Sequence, residues 1–169
     1  MTTSHPQPSV HAIPKSGIKV LLLENLHQSA QELLVGEGYN VESLSTALSE
    51  DALIEKLHGV HLLGIRSKTQ VNAKVLAAAK DLLTVGCFCI GTNQVDIEAA
   101  RSLGVTVFNA PFSNTRSVAE LMIAEIILLA RQLGDRSRDL HLGKWRKTAD
   151  QSYEIRGKTL GIVGYGHNG

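Results

Sequence analysis

The apolar positions fall into short continuous runs, separated by segments with helical spacing. Ile18-Lys-Val-Leu-Leu-Leu23 is broken only by Lys19, which suits a buried parallel strand. His27 to Glu37 carries Ala30, Leu33 and Leu34 on one helical face and is closed by Gly36 and Gly38. Tyr39 to Leu44 reads as a second strand. Ser49 is the expected cap of a helix running through Leu53 and Leu57 to Gly59. His61 to Ile65 is a third strand, and Asn72 caps a helix through Val75, Leu76 and Ala79. Leu82 to Cys89 is a fourth strand. Asp96 opens a helix through Ile97, Ala100 and Leu103 that Gly104 closes, and Val105 to Phe108 is a fifth strand. Strands alternating with helices over short connections predict an α/β, doubly wound parallel sheet. Right-handed crossovers would place helices on both faces.

The pattern changes after Pro111. Ser117 to Leu133 predicts one long helix with a Ser117-x-x-Glu120 capping box. Its apolar residues cover more than one stripe, so burial on more than one side is expected, against its own domain or a partner subunit. Arg136 to Leu142 reads as a polar helix, followed by the only tryptophan, Trp145, as local packing or an interface anchor. Thr159 to Val163 reads as a further strand. Three of the four prolines lie in the first 14 residues, and residues 1–16 read as a flexible tail.

Composition narrows the function classes. The chain has 169 residues, 43% hydrophobic and 20% charged, with a formal net charge of +1. A packed core is expected, and no basic excess points to nucleic acid or an anionic membrane. The apolar run Leu121 to Ala130, interrupted by Glu125, is too short for a membrane span. Cys87 and Cys89 have neither further cysteines nor close histidines, so a metal is not expected, and a reduced, cytoplasmic protein is.

Several turns could carry chemistry. In an open α/β sheet, ligands bind beyond the carboxyl ends of the strands. The third strand ends in Arg66-Ser67-Lys68-Thr69, where a guanidinium, an ammonium and hydroxyls could hold a carboxylate or phosphate, or simply form a solvated loop. The fourth leads into Ile90-Gly91-Thr92-Asn93, which could offer backbone amides to an anion; Asp96 reads as a helix cap. Ser113, Asn114, Thr115 and Arg116 precede the long helix. Gly164-Tyr-Gly-His-Asn-Gly169 has the Gly-x-Gly-x-x-Gly form of a dinucleotide cradle. The seven histidines share no spacing, and none is nominated as a general acid.

Four segments in order, Ile65-Arg-Ser67, Gly86 to Asp96, Phe108 to Leu121 and Gly157 to His167, carry a resemblance. They are similar to the phosphoglycerate-oxidising branch of the D-isomer-specific 2-hydroxy-acid dehydrogenases, from about residue 17 onward. The resemblance implies a flavodoxin-like substrate-binding domain over residues 17–110 and the beginning of a Rossmann NAD-binding domain over 111–169. It implies NAD-dependent oxidation of 3-phospho-D-glycerate to 3-phosphooxypyruvate, the first step of L-serine biosynthesis. Arg66, Ser67, Lys68 and Asn114 would contact the substrate, with Lys68 where an arginine is common. Ile90 and Gly91 would approach the nicotinamide, and Gly164, Gly166, His167, Asn168 and Gly169 the pyrophosphate. Asn168 departs from the apolar residue usual at that position. The helix at 117–133 would join two copies into a homo-oligomer. The family's catalytic Arg, Glu and His would lie beyond residue 169, so the expectation is an amino-terminal fragment, inactive alone and partly molten beyond about residue 110. Two other readings stay open: a glycerate or hydroxypyruvate reductase, and a non-catalytic acid-binding or oligomerising module.

Overall fold

The computed structural model describes residues 13–167. Most of the expected tail, and both Asn168 and Gly169, lie outside them. The chain divides into two compact units, Met1–Pro111 and Phe112–Gly169.

The first unit is a parallel sheet of five strands in the order β2-β1-β3-β4-β5. These are β1 (Lys19–Leu22), β2 (Asn40–Ser43), β3 (Leu62–Ile65), β4 (Thr84–Cys87) and β5 (Thr106–Asn109). The connecting helices are α1 (Gln28–Gly36), α2 (Glu50–Lys56), α3 (Ala73–Ala78) and α4 (Ile97–Leu103). The chain moves outward from β1 to β2, then crosses back over β1 to β3 and onward to β5. Right-handed crossovers therefore set α1 on one face and α2, α3 and α4 on the other. This is the flavodoxin-like order, with its switch point between β1 and β3.

The core lies under α2, α3 and α4. Leu21, Leu23, Leu63, Ile65, Val85 and Cys87 project from the strands onto Leu53, Leu57, Val75 and Leu76, all buried. Each large apolar side chain so buried contributes about 1.5–3 kcal/mol. On the other face, Gly64 allows a close approach: a Cβ there would lie 2.6 Å from Leu22 Cδ2 and 3.1 Å from Phe88 Cε2.

Caps follow the local chemistry. The Asn72 side chain accepts from Val75 N, and the Asp96 side chain accepts from Ala99 N at 2.9 Å. Gly104 closes α4 with φ +75°, a region glycine enters without strain. Ser49 stands at the cap of α2, but its side chain makes no capping bond. Asp96→Ala is expected to lower stability by about 1 kcal/mol, read as a shift in the urea midpoint at unchanged m-value.

Several expectations need correction. Lys15–Gly17 is a 3₁₀ turn, with Lys15 paired to Glu37 at 2.6 Å, so the tail segment is structured from there. In the second unit, α5 runs Thr115–Ala130, two residues ahead of the predicted start. Ser117 therefore lies inside the helix rather than at its N-cap, so the capping box does not form, and Glu120 pairs with Arg116 at 2.9 Å. Gln132, at φ +53°, interrupts the helix before α6 (Leu133–His141). No residue of α5 is buried, and Ile123 and Leu129 are over half exposed. The expected strand at 159–163 is not formed. The second unit has no other strand among its described residues, so the backbone of this segment has no ladder to join.

Candidate functional site

The carboxyl ends of β1 and β3 meet at the switch point of the sheet. Beyond β1 the chain turns through Glu24 (φ +63°) and Asn25 (φ +52°), two successive left-handed residues that are not glycine. Such backbone costs on the order of 1–2 kcal/mol per residue and persists only where surrounding contacts enforce it. Here Glu24 N donates to Thr46 O and Asn25 N to Leu44 O, tying the turn to the end of β2.

The turn brings the Glu24 side chain beneath the tip of β3. Its carboxylate is buried and accepts three backbone N–H groups: Arg66 N at 3.1 Å and Thr69 N at 2.9 Å on Oε1, and Lys68 N at 3.0 Å on Oε2. Burial alone would raise its pKa, but the bonds from Thr69, Lys68 and Arg66 outweigh that and hold it below the ordinary carboxylate value. The buried Thr69 hydroxyl lies beside this carboxylate without a bond of hydrogen-bond geometry.

A second buried polar group grips the same loop from the segment between β4 and α4. Gln94 Nε2 donates to Arg66 O at 2.7 Å and contacts Cys89 Sγ at 3.2 Å. Val71 N donates to Gln94 O and Asp96 N to Val71 O, extending the attachment along the chain.

Held in this way, Arg66, Ser67 and Lys68 are all exposed. They border a cleft of about 590 Å³ completed by Glu24, Ser45 and Thr46. Arg66 also borders a second opening of about 610 Å³ beside His27 and Phe88. A guanidinium, an ammonium and a hydroxyl at one strand tip can hold an oxyanion, bidentately at the arginine.

The other expected site residues are placed as follows. Ile90 and Gly91 lie in the exposed turn after β4, where Asn109 Nδ2 donates to Ile90 O at 2.7 Å. A Cβ on Gly91 would lie 2.7 Å from Asn93 Oδ1. Cys87 is buried, and that burial, with a smaller effect of Cys89, pushes its thiol pKa up to about 11, so it stays protonated. Asn114 stands at the start of α5 in the second unit, with no capping bond from its side chain. Also there, Gly164 has φ +87°, while Val163 and Tyr165 are exposed. The His167 ring packs edge-on to Phe112 at 4.4 Å. With the strand before it unformed, the glycine run presents no strand–turn–helix cradle among the described residues. No group of three or more metal-ligating side chains could hold a metal ion among the described residues, and no helix is long and apolar enough to cross a membrane.

Residues 20–162 match the family described as D-isomer specific 2-hydroxyacid dehydrogenase, catalytic domain. The chain belongs to this family. Among D-isomer specific 2-hydroxyacid dehydrogenases, the chain is 60% identical to D-3-phosphoglycerate dehydrogenase 1 of Saccharomyces cerevisiae, over 90% of its own length and 32% of the yeast protein. It is 58% identical to D-3-phosphoglycerate dehydrogenase of Dictyostelium discoideum, over 94% of its length and 39% of that protein. The chain thus spans about a third to two fifths of the length of these relatives. Among solved structures, the TT0316 protein of Thermus thermophilus matches 89% of this chain and 50% of its own at a TM-score of 0.81 and 28% identity. D-lactate dehydrogenase of Aquifex aeolicus, complexed with NAD and lactic acid, matches 89% of this chain and 45% of its own at a TM-score of 0.72 and 18% identity, a likeness of fold.

Glu24 and Gln94 were not among the residues singled out from the sequence. Glu24 follows an apolar strand and looks like an ordinary polar residue opening a loop. The signal that could have found it is positional: an acidic residue at the end of β1, beside the switch point, where the loop after β3 must satisfy its amides.

Proposed function

We propose that the protein carrying this chain oxidises 3-phospho-D-glycerate to 3-phosphooxypyruvate, with the Arg66–Lys68 loop binding the substrate's anionic groups. The observation that carries this reading is the pair of exposed cations with a hydroxyl at the switch point, in a chain 50–60% identical to relatives named D-3-phosphoglycerate dehydrogenase. Arg66 suits a bidentate carboxylate or phosphate, and Lys68 adds a point charge beside it. Two cations favour a substrate with both a carboxylate and a phosphate over an unphosphorylated hydroxy acid. Asn114 is proposed as a further substrate contact. The place of this oxidation at the opening of L-serine biosynthesis is part of the same reading.

The proposed oxidant is NAD. Ile90 and Gly91 are its proposed contacts in the first unit, and Gly164, Gly166 and His167 in the second; Asn168 and Gly169 lie outside the described residues. Residues 17–110 are proposed as the substrate-binding part and 111–169 as the start of the nucleotide-binding part. The exposed apolar surface of α5 supports homo-oligomerisation through Ser117 to Leu133. Two free cysteines support a cytoplasmic location.

A chimera tests the reading. Residues 17–169 would replace the aligned segment of the yeast D-3-phosphoglycerate dehydrogenase 1. The expected outcome is NAD-linked oxidation of 3-phospho-D-glycerate at a rate comparable with the parent. A folded chimera that turns over glycerate as well as its phosphorylated form would point to a glycerate or hydroxypyruvate reductase. A folded chimera with no turnover would remove the enzyme reading.

A further inference from the structure

We propose that Glu24 and Gln94 are positioning residues for the Arg66–Lys68 loop: the buried carboxylate gathers the loop's amides, and the buried carboxamide fixes the Arg66 carbonyl, so that recognition is left to the outward side chains. The inference deepens the substrate-anion reading above and rests on it.

The geometry has a direct chemical consequence. A loop at the end of a parallel strand can bind phosphate through its own N–H groups. This one cannot offer those of Arg66, Lys68 and Thr69, because all three are bonded to Glu24. The carboxylate acts as an internal anion that fills the nest from beneath. What remains for a ligand is the Arg66 guanidinium, the Lys68 ammonium and the Ser67 hydroxyl. The loop therefore selects oxyanions by side-chain reach. It is also pre-shaped before a ligand arrives, because the Arg66 peptide is held at its N–H by Glu24 and at its C=O by Gln94. The two left-handed residues at the β1 turn fit this role, since they bring the carboxylate under β3.

Glu24→Gln separates positioning from charge. Glutamine keeps the oxygen that accepts from Arg66 N and Thr69 N, but turns an N–H₂ group toward Lys68 N, setting donor against donor. Coulomb's law alone expects the loss of a negative charge beneath an anion site to strengthen anion binding. Positioning expects the opposite sign. The yeast chimera carrying residues 17–169, with and without Glu24→Gln, would be titrated with 3-phospho-D-glycerate and with inorganic phosphate at a temperature where both proteins are folded, and amide hydrogen exchange measured at residues 66, 68 and 69. The expected result is affinity weakened by about fivefold or more, with the Lys68 amide exchanging faster. Equal or tighter binding by the variant overturns the proposal. Should wild type bind neither ligand, the substrate-anion reading fails by itself, and exchange decides the scaffold: amides protected in wild type and released in the variant support it, and amides unprotected in both overturn it. Should Glu24→Gln not fold, Gln94→Leu, which removes the donor to Arg66 O without changing charge, is read by affinity alone: weaker binding supports the proposal and unchanged binding overturns it.

Discussion

Glu24→Ala is expected to destabilise the first unit by about 2–4 kcal/mol. Hydrogen bonds to a charged group contribute about 1.5–3 kcal/mol each. Three are lost here, but the amides of Arg66 and Lys68, in exposed residues, recover part of that from water, whereas Thr69 N does not because Thr69 is fully buried. In a unit of this size the melting temperature should fall by roughly 10–20 °C. The pH dependence has a definite sign. The folded carboxylate titrates below its ordinary value of 4.5, so its contribution is complete above that value. It is lost as pH falls through the lower, folded pKa. The wild type should therefore lose stability on acidification through this window by more than Glu24→Ala does, and the two melting curves should converge at low pH. Thermal melts by circular dichroism at a series of pH values measure both effects. A variant that melts with the wild type at neutral pH, or a gap between them that is flat with pH, would refute the role given to this carboxylate.

How much of this was legible in the sequence depends on which interactions are local. The five strands and α1 to α4 stand close to their predicted places, because apolar runs, Asn72, Asp96 and Gly104 encode elements within a few residues of themselves. The flavodoxin-like order is consistent with the alternation but rests on pairings between distant strands. Apart from the turn at Lys15–Gly17 and the unbonded cap Ser49, the failures lie after residue 111. A run such as Thr159 to Val163 has strand composition, but a strand exists only where a partner completes its ladder. The glycine run that follows has the spacing of a cradle without the strand that would build one. The start of α5 was misplaced because Glu120 had two possible partners. Ser117 suited a capping box, whereas Arg116, four residues before Glu120, offered an ion pair along the helix face. At the candidate site, Arg66, Ser67 and Lys68 could be read because charge at a strand tip is visible in one dimension. Glu24 and Gln94 could not, since they act across separations of 42 and 28 residues to Arg66.

Arg66→Ala in the yeast chimera is expected to lower kcat/KM for 3-phospho-D-glycerate by roughly 30- to 1000-fold. That range corresponds to about 2–4 kcal/mol, the usual effect of removing one partner from a desolvated charge pair. Arg66→Lys should recover only part of it, because an ammonium restores the charge but not the bidentate fork. Removing Lys68 should cost less, since a point charge beside the arginine adds attraction without fixing an angle. The pattern across substrates is the more searching measurement. If the two cations read two separate anionic groups, Lys68→Ala should narrow the preference for 3-phospho-D-glycerate over glycerate, whereas a lysine that only raises the local potential would affect both anions in proportion to their charge and lose its effect at high salt. Stability should barely move in any of these variants, because the side chains of Arg66 and Lys68 are exposed and the loop beneath them is held through its backbone. A drop in melting temperature comparable with that of Glu24→Ala would mean that Arg66 holds the loop rather than reads a ligand.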